Sequence, residues 1–319
     1  MSNHRRTLLR GVAALATGGS LAGLLGSAAA APPEPTTLHD DRLTTGAETT
    51  LTATIDPSVH GVVGVPSGIG SVMERLRSRY RSLDPARFGP VSVSAGIDGD
   101  RIAGGCALAD GAFDEEEFRA ELEAEGCFED GNGDSDTVSV PGTPYAVAIG
   151  GSTLAVGYGD SETAASAHAE SAVSSSRSAG GPPSVLDGDA VSYATLGSGT
   201  RSHLRDRIDT AGIGGSGAAE GFETVLAATE AVGVALSTEG SRCGVQYGAV
   251  ADPESVSAND LWTLATRTAD SEAHLDIESV SRHGRMIVVD ATISADRLWG
   301  AHERLLGRVS AGESAHKRV

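Results

Sequence analysis

The sequence predicts an α+β fold made of two successive units, and three observations carry that prediction. Stretches alternating between apolar and polar or small residues are joined in pairs at polar glycine turns, as in "VSVSAGIDGDRIAGGCALAD" and "VGVALSTEGSRCGVQYGAVAD". That is the pattern of antiparallel hairpins. Segments of helical composition follow them, "AFDEEEFRAELEAEG" and "SVSANDLWTLATRTA". The same order of elements then recurs after a Ser-, Gly- and Pro-rich break, "SSSRSAGGPPSVLDGD", near the middle of the chain. Pairwise identity between the halves is low. What repeats is the order of elements over roughly 130 residues, which one chance hairpin does not produce.

Each unit reads β-α-β-β-α-β-β-α. The first unit spans 53–176 and the second 189–309, with polar linkers at 31–52 and 177–188 and a polar tail at 310–319. The opening strand is expected in "VHGVVGV", with Val59, Gly61, Val63 and Val65 on one face and His60 on the other. A glycine turn at Gly68 and Gly70 leads into a helix, and Gly197 and Gly199 do the same in the second unit. Each unit closes with a further hairpin and a helix, in which "AHAE" and "AHER" place His168 and His302 alike. The first six elements follow the ferredoxin-like split βαβ order, with a strand and a helix appended. This implies antiparallel sheets with helices on one face.

Strand, glycine turn and helix also build phosphate cradles. Such a loop places a Lys after its glycines, and neither copy has one. The turn therefore reads as a tight β-to-α connection with Ser71 or Thr200 near the helix N-cap. "GDSE" at Gly159 leads into a helix, where Ser161 and Glu162 suit capping rather than catalysis. The chain has no C-x-x-C, no H-E-x-x-H and no nucleophile elbow.

Two candidate sites remain. In "EDGNGDSD" the residues Asp130, Asn132, Asp134 and Asp136 offer oxygens at every second position, as in the first half of a calcium loop. Ser135 stands where that loop has its glycine and Pro141 where it has its bidentate Glu. No cofactor is otherwise expected. His60 is the one candidate ligand or base among the histidines. Cys106, Cys127 and Cys243 are too few for a disulfide framework. Cys106 and Cys243 alternate with apolar neighbours and read as core residues on strands.

The faces opposite the expected core are unusual. Ser92, Ser94, Ala103, Gly105, Ala107, Ala146, Ala148, Ala155 and Gly157 are all small, as are Ala231, Gly233 and Ala235. A wet sheet face normally carries Thr, Lys, Glu or Arg. The expectation is that the two sheets face one another across these surfaces. They would form either a packed interface or, in the rival arrangement, a duplicated barrel with a ligand or simple enzymatic site between the sheets.

Of the 319 residues 43 are acidic and 24 basic, for a net charge of −19, and Lys317 is the sole lysine. Carboxylate-rich surfaces stay soluble where concentrated salt screens repulsion. They disfavour nucleic acid and anionic lipid as partners. The N-terminus, "NHRRTLLRGVAALATGGSLAGLLGSAAAA", has a basic start, an apolar middle and a small-residue end at Ala28 and Ala30. Its Arg5–Arg6 pair marks a twin-arginine export signal over 1–30. In this signal and this composition the chain resembles exported haloarchaeal proteins. The resemblance implies passage through the twin-arginine translocase in folded form, no membrane span in the mature chain, and a place outside the cell or at its surface. The function expected is that of a non-enzymatic binding or structural protein.

Overall fold

The computed structural model describes residues 47–64, 78, 80–84, 87–98, 101–124, 126–129, 136–140, 143–174, 184–211, 224–252, 254–257, 259, 261–263 and 275–299. Arg5, Arg6, Asp130, Asn132 and Asp134 lie outside them, as do the first glycine turn and the helix after it. So do the ends of the chain.

The first strand, β1 (Thr49–Ile55), is "TTLTATI", in which Leu51, Ala53 and Ile55 alternate with threonines. It begins inside the stretch read as a linker. The segment read as the opening strand is instead a 3-10 turn (Pro57–Val59) running into a short helix α1 (His60–Val63). Asp56 starts it: its carboxylate accepts from the Ser58 amide at 2.8 Å, and Pro57 supplies a preset φ at N1. His60 is therefore a helical residue and not a strand side chain.

There follow β2 (Phe88–Asp98), β3 (Arg101–Gly111), α2 (Glu115–Ala124), β4 (Phe128–Glu129) and β5 (Asp136–Ser139). The first half ends with β6 (Tyr145–Gly150), β7 (Thr153–Tyr158) and α3 (Glu162–Ser174). Asp136 is thus a strand residue, paired with Ile149. The second half contains β8 (Ala190–Thr195), α4 (Ser198–Ala211), β9 (Thr229–Glu239), β10 (Arg242–Ala251), β11 (Leu275–His283) and β12 (Met286–Ser294), then a 3-10 turn (Ala295–Arg297). Gly151, Gly240 and Gly284 take positive φ at the tips of the β6–β7, β9–β10 and β11–β12 hairpins, where L side chains are disfavoured.

All these strands form one antiparallel 12-stranded sheet, ordered β11-β12-β10-β9-β8-β1-β2-β3-β7-β6-β5-β4. Two expectations change here. A split βαβ unit needs its first two strands parallel with another strand between them, whereas β1 pairs directly and antiparallel with β2. The halves also do not stack. They join edge to edge, β1 against β8, from Thr50↔Thr195 to Ile55↔Ala190. Pairing satisfies the backbone groups that two separate sheets would leave open at those edges. The described strands run from β11 at one end to β4 at the other in a single sheet, without the two facing sheets that the rival arrangement places around its site. Outward from the seam the first five strands of each half follow the same order, β1-β2-β3-β7-β6 on one side and β8-β9-β10-β12-β11 on the other, and the first half continues into β5 and β4.

The register sorts side chains onto two faces. On the first face Leu51, Ala53, Val93, Ala95 and Ala194 pack with Leu196, Leu204 and Leu226 from the second half. On that same face Val59 and Val63 from the first half pack on Leu236, Cys243, Val245 and Ile293 of the second. The segment after each inner strand therefore covers inner strands of the other half. Beyond them, Phe118 and Leu122 of α2 cover Val147, Ile149 and Val156.

The second face of the first half holds α3. Ala165, Ala169 and Ala172 lie on Cys106, Leu108, Ala146, Ala148 and Ala155, all buried. A Cβ on Gly157 would stand 2.0 Å from the Ala165 carbonyl oxygen. The small residues thus seat a helix rather than a second sheet. On β3 the faces from Gly104 onward are opposite to expectation. Ile97 pairs with Ile102 and Gly96 with Gly104, so Ala103 is an extra residue that flips the alternation.

Candidate functional site

The second face of the second half is built differently. Near the seam, Leu186 lies over Gly233 and Gly248, where a Cβ would come within 2.3 Å and 3.1 Å of its methyl groups. With Val191, Ala235, Met286 and Val288 it forms a small apolar cluster. Farther out, where the first half has Leu108 and alanines, the strands carry Gly244 and Gln246 on β10, Asp290 and Thr292 on β12, and Ser279 on β11.

Among the described residues after β12, 295–299, none lines this surface. These residues turn to the first face, where Leu298 is fully buried against Val59 and Val63. The Trp299 indole N–H donates to the Gly64 carbonyl at 3.2 Å. Residues 295–299 thus begin on the face opposite to the one that α3 covers in the first half.

What remains is an open groove of about 490 Å³ lined by Asp187, Ser237, Glu239, Arg242, Gln246, Glu278, Ser279, Asp290 and Thr292, with Gly244, Val245 and Ala291. Its centre is a fixed chain of hydrogen bonds. The Asp187 amide donates to Gln246 Oε1 at 3.0 Å, which turns Gln246 Nε2 toward Asp290 Oδ1 at 2.9 Å. The Ser279 hydroxyl donates to Asp290 Oδ2. At the rim the Arg242 guanidinium donates to Thr292 Oγ1 at 2.7 Å and to Asp276 Oδ2 at 3.3 Å. Just before β8, Asp189 Oδ2 accepts from the Thr238 amide, and burial raises its carboxyl above the usual range against that hydrogen bond.

This arrangement presents oriented acceptors and carboxylates. Among the described residues Ser281 and His283 make one hydroxyl–imidazole contact, 3.1 Å long, but both sit at an exposed edge strand where the described contacts give the ring no orienting carboxylate. No group of three or more His, Cys, Asp and Glu among the described residues could hold a metal ion. His60 is not in the groove. Cys106 and Cys243 are buried core residues, as their alternation suggested, and desolvation pushes the Cys243 thiol up to about 11.

The second-copy glycine turn is also settled. At the start of α4 the Gly199 amide donates to the Glu48 carboxylate at 2.7 Å, and Gly197 N–H donates to Thr49 Oγ1 at 2.8 Å. The chain's own carboxylate occupies the position an external anion would take. Ser161 accepts from the Ala164 amide at 3.2 Å and so caps α3, as "GDSE" implied. The groove was missed because it depends on long-range register. Its sequence trace is the change from small residues to Gln246, Asp290 and Thr292 at positions facing the same way.

No protein-family model matches the chain, and no curated protein matches it in sequence. Solved structures do. Crystal form III of TP0453 is similar with a TM-score of 0.50 and 11% identity, covering 80% of this chain and 94% of that one. Crystal form I gives a TM-score of 0.49 and 12% identity over 82% and 95%. The class defined is a mixed α+β protein with one large antiparallel sheet and few helices; the likeness at this identity concerns the fold alone. No described helix is long and apolar enough to cross a membrane.

Proposed function

We propose that the chain is an exported, non-enzymatic binding protein whose ligand sits in the groove over β10, β11 and β12. The observation that carries this reading is the groove itself. The matching face of the first half is filled by α3, while this one is polar, concave and within the ~300–1,000 Å³ typical of small-molecule sites. Its hydrogen-bond donors and acceptors are held by one another, which favours recognition over turnover. The common strand order on either side of the seam supports an internal duplication, in which one copy lost its helix seat and gained a pocket. The acidic composition and the Arg5–Arg6 signal support a halophilic archaeal protein, exported folded through the twin-arginine translocase and working outside the cell or at its surface.

A chemically diverse set of small polar molecules, screened by melting temperature in concentrated salt, tests the binding reading. A true ligand at a hundredfold excess over its Kd stabilises by ~2.7 kcal/mol. The shift should vanish in Ser279→Trp, which fills the groove from an exposed position. A shift that persists in that variant, or no shift with any molecule, would refute the reading.

A further inference from the structure

We propose that the extra residue in β11, Glu278, guards the open end of the sheet against pairing with another copy of the chain. Among the described residues β11 pairs on one side only, with β12, and so ends the sheet. It is nine residues long and carries the half-buried Leu275, Ile277 and Val280. An edge of that length and composition is a template for another strand. The opposite end of the sheet is β4, two residues long, and very short edge strands are poor templates.

β6 shows what such an edge does when it is regular. It is the outer strand of its hairpin in the first half, as β11 is in the second. Its sequence, "YAVAIG", alternates without interruption and has no charged side chain. It pairs onward with β5, from Asp136↔Ile149 to Ser139↔Ala146. β11 differs in two independent ways. Ile277 pairs with Ala291 and Ser279 with Asp290, the next residue back along β12, so Glu278 is an extra residue. A bulge of this kind bends the strand and disrupts its ladder. Asp276 and Arg282 also place charges on β11. Both are held: Asp276 accepts from the Arg242 guanidinium, and Arg282 donates to the Val256 carbonyl. A strand laid beside them would strip water from these charges at a cost.

The expected setting makes a local device necessary. At 1 M salt the Debye length is ~3 Å, so the net charge of −19 no longer holds two copies apart. The shape of a bulge is not screened by salt.

Deletion of Glu278 tests this. Ile277↔Ala291 and Ser279↔Asp290 then become successive pairs, so the alternation of faces is restored and the rest of the register is kept. Size-exclusion chromatography with light scattering, on the whole mature protein in concentrated salt, reads the outcome. Wild type and Glu278→Thr, which keeps the bulge, should be monomers from dilute to concentrated protein. The deleted chain should keep its far-UV circular dichroism and form dimers or larger assemblies as its concentration rises. Adding Ile277→Lys to the deletion should return it to a monomer, because a lysine blunts an edge. A folded deletion variant that stays monomeric would overturn the proposal. So would a deletion variant that loses its structure, which would make Glu278 a requirement of the fold and not a guard. Association of Glu278→Thr as strong as that of the deletion would overturn it in favour of the carboxylate. A wild type that is itself a dimer, and that Ile277→Lys makes monomeric, would overturn it in favour of an interface at this edge.

Discussion

The Thr49 hydroxyl donates to the Thr200 hydroxyl at 2.9 Å while accepting from the Gly197 amide at 2.8 Å, a contact across 151 positions of sequence. Thr49 is fully buried and Thr200 is 6% exposed, so neither has water to fall back on. A side chain at the start of the first half thus caps the helix that opens the second. Glu48 adds its carboxylate to the same helix start.

Thr49→Val keeps the shape and removes both bonds. The buried Thr200 hydroxyl and the half-buried Gly197 amide are left without this partner, at a cost of ~1–3 kcal/mol for a buried group. Urea unfolding should show a lower midpoint with an unchanged slope. Glu48→Gln, at an exposed position, should cost less, ~0.3–1 kcal/mol, and the cost should shrink with added salt. If Thr49→Val unfolds at the wild-type midpoint, this contact does not tie the halves together.

Beneath α3, Gly157→Ala should be costly although it adds one methyl group. Its Cβ would meet the Ala165 carbonyl oxygen at 2.0 Å and the Ala169 amide nitrogen at 2.6 Å, both backbone atoms of the helix. The helix must lift, and overpacking of this kind costs ~1–3 kcal/mol or more. Ala148→Trp pushes on the same helix from a fully buried position. Both should lower the melting temperature markedly. Near-wild-type melting of either would mean that α3 does not seat on these residues.

Much of this architecture was legible from local pattern. The β2–β3, β6–β7, β9–β10 and β11–β12 hairpins announce themselves by alternation around glycine turns, and α3 by its Ser161 start. The sheet order was not legible, because it rests on long-range pairing of β1 with β8, whose alternating Thr, Ser and Ala look like linker or like any other strand. The turn at Asp56–Pro57–Ser58 carried a helix-start signal, overridden by the apparent alternation of "VHGVVGV". The extra residue Ala103 inverted half of β3, which sequence alternation alone cannot reveal. The groove followed from those same long-range registers.

Export is expected to depend on the arginine pair. Replacing Arg5 and Arg6 by lysines keeps the charge but removes the twin-arginine feature. Precursor should then accumulate in the cytoplasm of an expressing halophile, measured by fractionation. Secretion at the wild-type level would rule out that route.

Folding should require salt. With a net charge of −19, mutual repulsion acts over a Debye length of ~30 Å at 0.01 M salt and ~3 Å at 1 M. Far-UV circular dichroism should show structure lost on dialysis into dilute buffer and regained on return. A spectrum and melting temperature that ignore dilution would contradict a halophilic design.

Cys243 gives a pH dependence with a definite sign. Its side chain is fully buried against Val59, Leu236 and Ile293, and desolvation raises the thiol from 9.0 to about 11. The folded chain therefore holds this proton more tightly than the unfolded chain. The resulting stability is fully present below pH 9 and is lost as the pH climbs through about 11. Burial raises Tyr247 in the same direction, so the wild type alone does not isolate the thiol. Comparison with Cys243→Ala does, since Tyr247 is present in both. The alanine variant should be less stable at about pH 8, through the lost packing. The gap should narrow as pH rises toward 11, because only the wild type carries the thiol term. In the native protein the thiol should also resist iodoacetamide until the chain unfolds, because the thiolate is the reactive form. Rapid native alkylation of Cys243, or a stability gap between the two proteins that stays constant across that pH range, would show that the thiol is not held in a dry core.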